Sequence, residues 1–232
     1  MKVIDSSIEV ETNAFMITGN GIKDLKVMRE IAKKYDHSTV IKIPKTPFGG
    51  EKGIDGTIKA IQVLMKHAVT SKYIVIIDQE HVKGVRNFEK KLTNYGFKVI
   101  ISKDIEPKVW YFETQLGPYK AFIYVAISGC KKAPNIECNI SKLIEILSRE
   151  KVEPEKKAIK KWLREHGMNN YDEIIKKARK SLIEVAFPSH VSVLKLLIAP
   201  SEFKKYLNNP NFRTSQIKAN INIRATGNTL IN

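Results

Sequence analysis

The sequence predicts an α/β fold with a mostly parallel sheet and a helical C-terminal extension. Three observations lead there. Over the first hundred residues, short runs rich in β-branched residues alternate with stretches of helical period. The chain has 232 residues, 43% of them hydrophobic, enough to bury a sizeable core. Beyond residue 150 the β-rich runs give way to lysine-rich amphipathic stretches.

Taken in order, Ala14–Thr18 (AFMIT) reads as a buried strand, followed by a helix over 24–35 with Leu25, Met28, Ile31 and Ala32 at helical spacing. Residues 39–43 (TVIKI) form the next strand. A Pro- and Gly-rich loop over 44–56 leads into a helix with Ile58, Ile61, Met65 and Ala68 on one face. Residues 73–77 (YIVII) are the strongest strand in the chain. A helix near 86–95 and a strand over 97–101 (FKVII) complete the alternation, the pattern of parallel strands joined by crossover helices. Residues 109–114 and 121–127 then flank Leu116-Gly117-Pro118-Tyr119, the turn of an antiparallel hairpin.

Past a boundary placed near 129–137 the chain reads as helical. Pro154 suits a first helical position and Gly167 a helix stop, with Ile159, Trp162 and Leu163 turned inward. Asn170, with Glu173 three residues on, marks a second helix running to Pro188. Shorter helices are expected over 191–197 and 202–207. A tail rich in Asn and Thr follows, in which Ile217, Ala219, Ile221 and Ile223 alternate as a strand would. The predicted organisation is an α/β domain over 1–128, a helical basic region over 129–208 and a polar tail over 209–232.

Charge separates these regions. Forty Lys and Arg against 24 Asp and Glu give a net charge of +16. Residues 1–128 hold 20 basic and 14 acidic groups, residues 151–208 hold 13 and 7, and the last 24 residues hold 3 basic groups and no acidic one. Such an excess serves solubility or a polyanion partner. A lysine-rich composition of the thermophile kind is the alternative source. No apolar run approaches the roughly 18 residues a membrane helix needs, and the first dozen residues do not read as a signal peptide. The expectation is a cytoplasmic protein with no membrane association. Two cysteines, Cys130 and Cys138, read as small buried or loop residues in a reduced compartment, too few for a disulfide framework or a four-ligand zinc site.

Ligands of open α/β sheets bind beyond the carboxyl ends of the strands, so the residues after each strand carry the functional reading. Three segments qualify: Gly19-Asn20-Gly21-Ile22-Lys23-Asp24, Pro47-Phe48-Gly49-Gly50-Glu51-Lys52-Gly53, and Asp78-Gln79-Glu80-His81. In extended chain, residues two apart face the same side, so Asp78 and Glu80 present two carboxylates together. A hard cation such as Mg²⁺ relieves their repulsion and takes oxygen ligands. The first glycine loop has Asp24 where a dinucleotide fingerprint needs its third glycine, and the second lacks the G-K-[ST] ending of a P-loop.

This order of motifs resembles the Toprim domain, the α/β metal-binding module of type IA topoisomerases, DnaG-type primases and OLD-family nucleases. Asn20-Gly21-Ile22-Lys23-Asp24 lines up with the family's Glu-Gly motif and its following Asp, and Asp78-Gln79-Glu80 with its Asp-x-Asp. Gly49-Gly50 and the helix from Gly56 match the layout between them. The resemblance covers roughly residues 12–105. It implies a Toprim/Rossmann-like sheet, Mg²⁺ held by Asp78 and Glu80, and phosphoryl-transfer chemistry around Asn20, Asp24, Asp78 and Glu80. Asn20 stands where the family has its acid–base glutamate, and an amide cannot transfer a proton near neutral pH as a carboxylate can. Asp24 is one replacement carboxylate; its other reading is a first-turn acid facing the helix dipole.

In the C-terminal half, Lys156, Lys157, Lys160, Lys161 and Arg164 share a stripe opposite Ile159 and Trp162. Lys176, Lys177, Arg179 and Lys180 repeat the arrangement on the next helix. Stripes of this kind neutralise backbone phosphates without reading sequence. Trp110, Tyr111, Phe112, Tyr119, Phe122 and Tyr124 cluster on the hairpin, as a stacking platform for single strands or as core. The expectation is a protein that acts on or binds nucleic acid, with Mg²⁺-dependent phosphodiester chemistry. The alternatives are an inactive nucleic-acid-binding module of a nucleoprotein assembly and an enzyme on a small phosphorylated ligand.

Overall fold

A computed structural model describes residues 1–6, 12–35, 38–44, 53–67 and 70–199. The expected loop around Gly49 and Gly50, the helix over 202–207, and the alternating tail with Arg213, Lys218 and Arg224 lie outside the described residues. The chain runs β1 (Lys2–Ser6), β2 (Ala14–Thr18), α1 (Ile22–Lys33), β3 (Val40–Pro44), α2 (Gly53–His67), β4 (Lys72–Asp78) and α3 (Val85–Asn94). It continues through β5 (Lys98–Glu106), β6 (Val109–Leu116), β7 (Tyr119–Ser128), α4 (Ile136–Ser148), α5 (Lys156–Glu165), α6 (Tyr171–Lys177), α7 (Lys180–Ala186) and α8 (Pro188–Ile198).

The strands form one sheet in the order β1-β3-β2-β4-β7-β6-β5. The pairs from β1 through β7 are parallel, while β7, β6 and β5 form an antiparallel meander. The fold class is therefore α/β with a mostly parallel sheet and C-terminal helices, as the alternation of periods predicts. From β2 the chain moves to its neighbour β3, then crosses back to β4 on the other side of β2. That reversal makes the carboxyl ends of β2 and β4 the switch point of the sheet, the place where such folds open a crevice.

Both faces of the sheet are covered, which explains why its central strands are apolar without interruption. On β4, Ile74 and Ile76 face one core and Tyr73, Val75 and Ile77 the other. The first core takes α1 and the helices from α4 onward; the second takes α2 and α3, with Ile58, Ile61 and Met65 inward as their spacing predicts. Residues on either side of Ser128 share the first core: Val109, Tyr111, Tyr124 and Ala126 of the sheet lie with Ile140, Ile159, Ile183 and Val193 of the helices.

Several expectations need correcting. The strand at 97–101 does not extend the parallel series: β5 reaches Glu106 and pairs antiparallel with β6. Its polar second half sits at the sheet edge, where apolar patterning fades. Residues 136–148, unassigned from sequence, form α4 with Ile136, Ile140, Leu143 and Ile144 buried. The helix expected from Asn170 to Pro188 breaks at Ala178, whose ψ of 141° leaves the helical region. Pro188 opens α8 instead of ending a helix. The hairpin aromatics are core, not a platform: Trp110, Tyr111, Phe112 and Tyr124 are buried, and only Tyr119 of the six is exposed. Cys130 and Cys138 are joined in a disulfide, with Cα atoms 6.0 Å apart. The loop over 129–135 brings Cys130 back against Cys138 in the first turn of α4, which residue spacing does not reveal.

Among the described residues, no single helix is long and apolar enough to cross a membrane. The apolar pair α7 and α8 is bent by 115°, and the apolar residues of α8 are buried in the protein core.

A candidate metal and phosphate site at the switch point

The site begins where β2 ends. Thr18 Oγ1 donates to the carbonyl of Ile76 (3.0 Å) and accepts from the backbone N–H of Asn20 (3.1 Å), turning the chain out of the sheet. Gly19 is required there by crowding: a Cβ would lie 2.7 Å from the carbonyl oxygen of Gly53, whose N–H donates to Gly19 O at 2.8 Å. The start of α2 is thereby laid against the first glycine turn. Gly21, with φ of 132°, takes a backbone conformation that side chains disfavour and starts α1.

Asn20 is a clamp between two acids. Its Nδ2 donates to Asp24 Oδ2 at 2.6 Å, and its Oδ1 accepts the backbone N–H of Asp78 at 3.2 Å. Asp24 is only 5% exposed, and burial, with Glu137 adding repulsion against the Asn20 bond, pushes its carboxyl up to about 6. Asp78, the last residue of β4, is 7% exposed. Burial first, then the charges of Asp24, Glu80 and Glu137, push it up to about 8, against a stabilising bond from the Ile136 N–H. Asp78 Oδ1 is buried without a hydrogen-bond partner, as are Gln79 Oε1 beside it and Asn135 Oδ1 at the start of α4.

Glu80 arrives by a different route from the one the sequence suggests. Residues Gln79–His81 form a single 3₁₀ turn, so strand alternation does not align Glu80 with Asp78. The turn is pinned by the Glu80 N–H on the Pro134 carbonyl at 3.3 Å. Asp78, Glu80 and His81 still converge, with one ligand atom from each lying within 4.8 Å of the others. Two carboxylates with an imidazole, plus buried oxygens lacking donors, fit a divalent ion of the Mg²⁺ or Mn²⁺ kind. Asp78, Glu80 and His81 would hold it. Such an ion would polarise a phosphate oxygen.

Glu137, in the first turn of α4, is the residue that sequence reasoning missed. Its Oε1 accepts from the Tyr171 hydroxyl at 2.9 Å, and its charge acts on both Asp24 and Asp78. The strand-end rule applied after β7 points toward this segment. His81, read from sequence only as a solvent-facing neighbour of Glu80, is a second omission, and Lys23 is a third. Burial and the ammonium groups of Lys156 and Lys160 push its own ammonium down, while Glu137 opposes them. Lys23 thus stands between the acid cluster and the α5 stripe.

That stripe is as expected: Lys156, Lys157, Lys160, Lys161 and Arg164 are exposed while Ile159, Trp162 and Leu163 are buried. A shallow groove lined by Lys23, Lys26, Lys160, Asn169, Asn170 and Tyr171 runs from it along α1. The residues of the second stripe are exposed too, but they lie on either side of a helix break and not on one helix. Lys176 and Lys177 end α6, whereas Lys180 starts α7 and sits 4.4 Å from the Tyr35 ring. Lys176 Nζ pairs with Asp172 at 3.0 Å.

A scan against protein-family models matches none, and searches of the curated proteins and of the solved structures return no match to this chain.

Proposed function

We propose that the chain is a Toprim-like protein acting on nucleic acid, with divalent-cation-dependent phosphodiester chemistry at the switch point. The observation that carries this reading is the adjacency of two opposite surfaces. Four carboxylates, Asp24, Asp78, Glu80 and Glu137, crowd around a buried oxygen with no donor, and Lys23 joins them directly to the exposed α5 stripe. The lysines hold backbone phosphates and bring one to the acid cluster. Asp78 and Glu80, with His81, supply the cation ligands. Asn20 positions Asp24 and Asp78 and transfers no proton itself. Asp24 is the carboxylate nearest the place where the Toprim pattern has its glutamate.

The decisive measurement is cleavage or transfer on DNA and RNA with Mg²⁺ or Mn²⁺. Activity that vanishes in Asp78→Ala and Glu80→Ala while binding survives supports the reading. A second reading, an inactive nucleic-acid-binding module, is favoured by Asn20, both ends of whose amide are engaged. Binding indifferent to divalent ions and to both substitutions, but lost with the α5 lysines, selects it. Absence of binding at low salt rejects both and leaves a small phosphorylated ligand.

A further inference from the structure

The loop that completes the acid cluster is closed by the disulfide. Three contacts tie residues 134–137 to the site: the Pro134 carbonyl on the Glu80 N–H, the Ile136 N–H on Asp78, and the Glu137 charge on Asp24 and Asp78. All three lie between Cys130 and Cys138, which are eight residues apart in sequence and covalently joined. The base of this loop is tight. Gly129, with φ of 101°, abuts Pro134 and Asn135 so closely that a Cβ would lie 2.3 Å from the Pro134 carbonyl carbon. Its N–H donates to Asn139 Oδ1 at 2.9 Å, and the Cys130 N–H to the Ala133 carbonyl at 2.7 Å.

The disulfide is also within reach of a reductant. Both cysteines are half-buried and line an open groove with Lys131, Lys132, Lys142 and Lys151, where Glu145 and Glu153 are the acids among the described residues. Neighbouring ammonium groups stabilise a thiolate, which makes a cysteine the better leaving group in thiol–disulfide exchange.

We infer that Cys130–Cys138 is a reducible clasp on the cation site, opened by a dithiol and weakening cation binding when open. The inference rests on the reading of Asp78, Glu80 and His81 as cation ligands. A thiolate of the dithiol attacks one cysteine sulfur and the other cysteine leaves as a thiolate. The second thiol of the reductant then displaces the first cysteine. One sulfur–sulfur bond breaks in the protein and one forms in the reductant, with two electrons and two protons passing to the cysteines. Freed at Cys138, the first turn of α4 no longer holds Ile136 and Glu137 in place, although the Asn139 side chain still anchors the helix to Gly129 and to the Ala186 carbonyl.

The test uses Mn²⁺ as the probe, titrated into the full chain in its oxidised form and into the Cys130→Ser/Cys138→Ser variant, which needs no reductant. Amide hydrogen exchange over 129–139 is measured on the same samples and on native chain reduced with a dithiol and desalted. The expected result is Mn²⁺ affinity lower by about tenfold or more in the variant, the range set by losing supports around metal ligands. Faster exchange at Ile136 should accompany it in both the variant and the reduced chain. Equal Mn²⁺ affinity in the two forms overturns the inference, as does unchanged exchange. No Mn²⁺ binding in either form, with exchange still accelerated, counts against the cation reading while supporting the clasp. Should the variant not fold, the reduced native chain carries both measurements.

Discussion

The acid cluster and the α5 stripe hold comparable numbers of charges and treat them in opposite ways. Asp24 and Asp78 are buried, held through Asn20 and a helix N–H, and titrate far from the usual carboxylate range. Lys156, Lys157, Lys160, Lys161 and Arg164 stand in solvent on one helix face. Desolvated charges in a fixed frame bind and polarise at one point, whereas solvated charges on long arms attract a polyanion without choosing its position. Under the proposed function, chemistry belongs to the first region and capture to the second.

Substitutions at the two regions should therefore fail in different currencies. The largest effect is expected at Asp78. Asp78→Ala should lower divalent-ion-dependent turnover about 100-fold or more, beyond what losing a supporting residue costs, with nucleic-acid affinity kept. Kinetics and a binding isotherm on the same sample test the separation, and a parallel loss of both would erase it. Next is the frame. Gly129→Ala forces a Cβ against Pro134 and a side chain into φ of 101°, so unfolding free energy should drop by on the order of 3 kcal/mol in a denaturant titration. A drop under about 0.5 kcal/mol would mean that the loop yields easily.

The stripe should behave conversely. Lys156→Glu with Lys160→Glu should weaken nucleic-acid binding about tenfold at moderate salt and reduce the salt slope by about two, while stability moves by less than about 0.5 kcal/mol. An unchanged slope would remove α5 from the interface.

The last expectation is a pH dependence of stability in which two senses of titration oppose each other. The folded pKa of Asp78, about 8, lies above its unfolded value, so the folded state binds the extra proton and apo stability falls as pH rises from about 4 to 8. Asp24 acts in the same sense up to about 6. His190 has the other sign. It is fully buried against Ser128 and Ser189, and burial, helped by Lys108, depresses it to about 4. Its neutral form is the folded one, so stability falls as pH drops from about 6.5 toward 4. On these three groups the apo chain should melt highest near pH 4, lose stability to about pH 6, level off between about 6 and 6.5 where His190 offsets Asp78, and fall again toward 8. Asp78→Asn should flatten the fall above about 6.5. A slope that persists in that variant would place its source elsewhere.

Much of the site was legible because the alternation of periods located β2 and β4, and the strand-end rule then led directly to Asn20, Asp24, Asp78 and Glu80. The α5 stripe was equally legible, since i, i+4 spacing survives any tertiary arrangement. Glu137 was not, because α4 begins just after Cys130 and Pro134, whose local signals mark a loop. The break at Ala178 was hidden for the opposite reason: no proline or glycine stands between Asn170 and Pro188, and the break shows only in tertiary packing, α6 lying on α1 while α7 lies on α4 and α8. Lys42 sits fully buried on β3, with its ammonium 5.9 Å from the Phe15 ring, at a position that periodicity marks only as strand. The polar half of β5 escaped because an edge strand needs no apolar face.

The core shared across Ser128 carries a consequence for synthesis. Strands β4, β6 and β7 are all made before α8, so Val109, Tyr111, Tyr124 and Ala126 lack the helix that packs against β7 and β6 until the chain reaches it. For that interval the nascent chain carries an apolar sheet surface, and α8, made after the basic stripe of α5, ends its exposure.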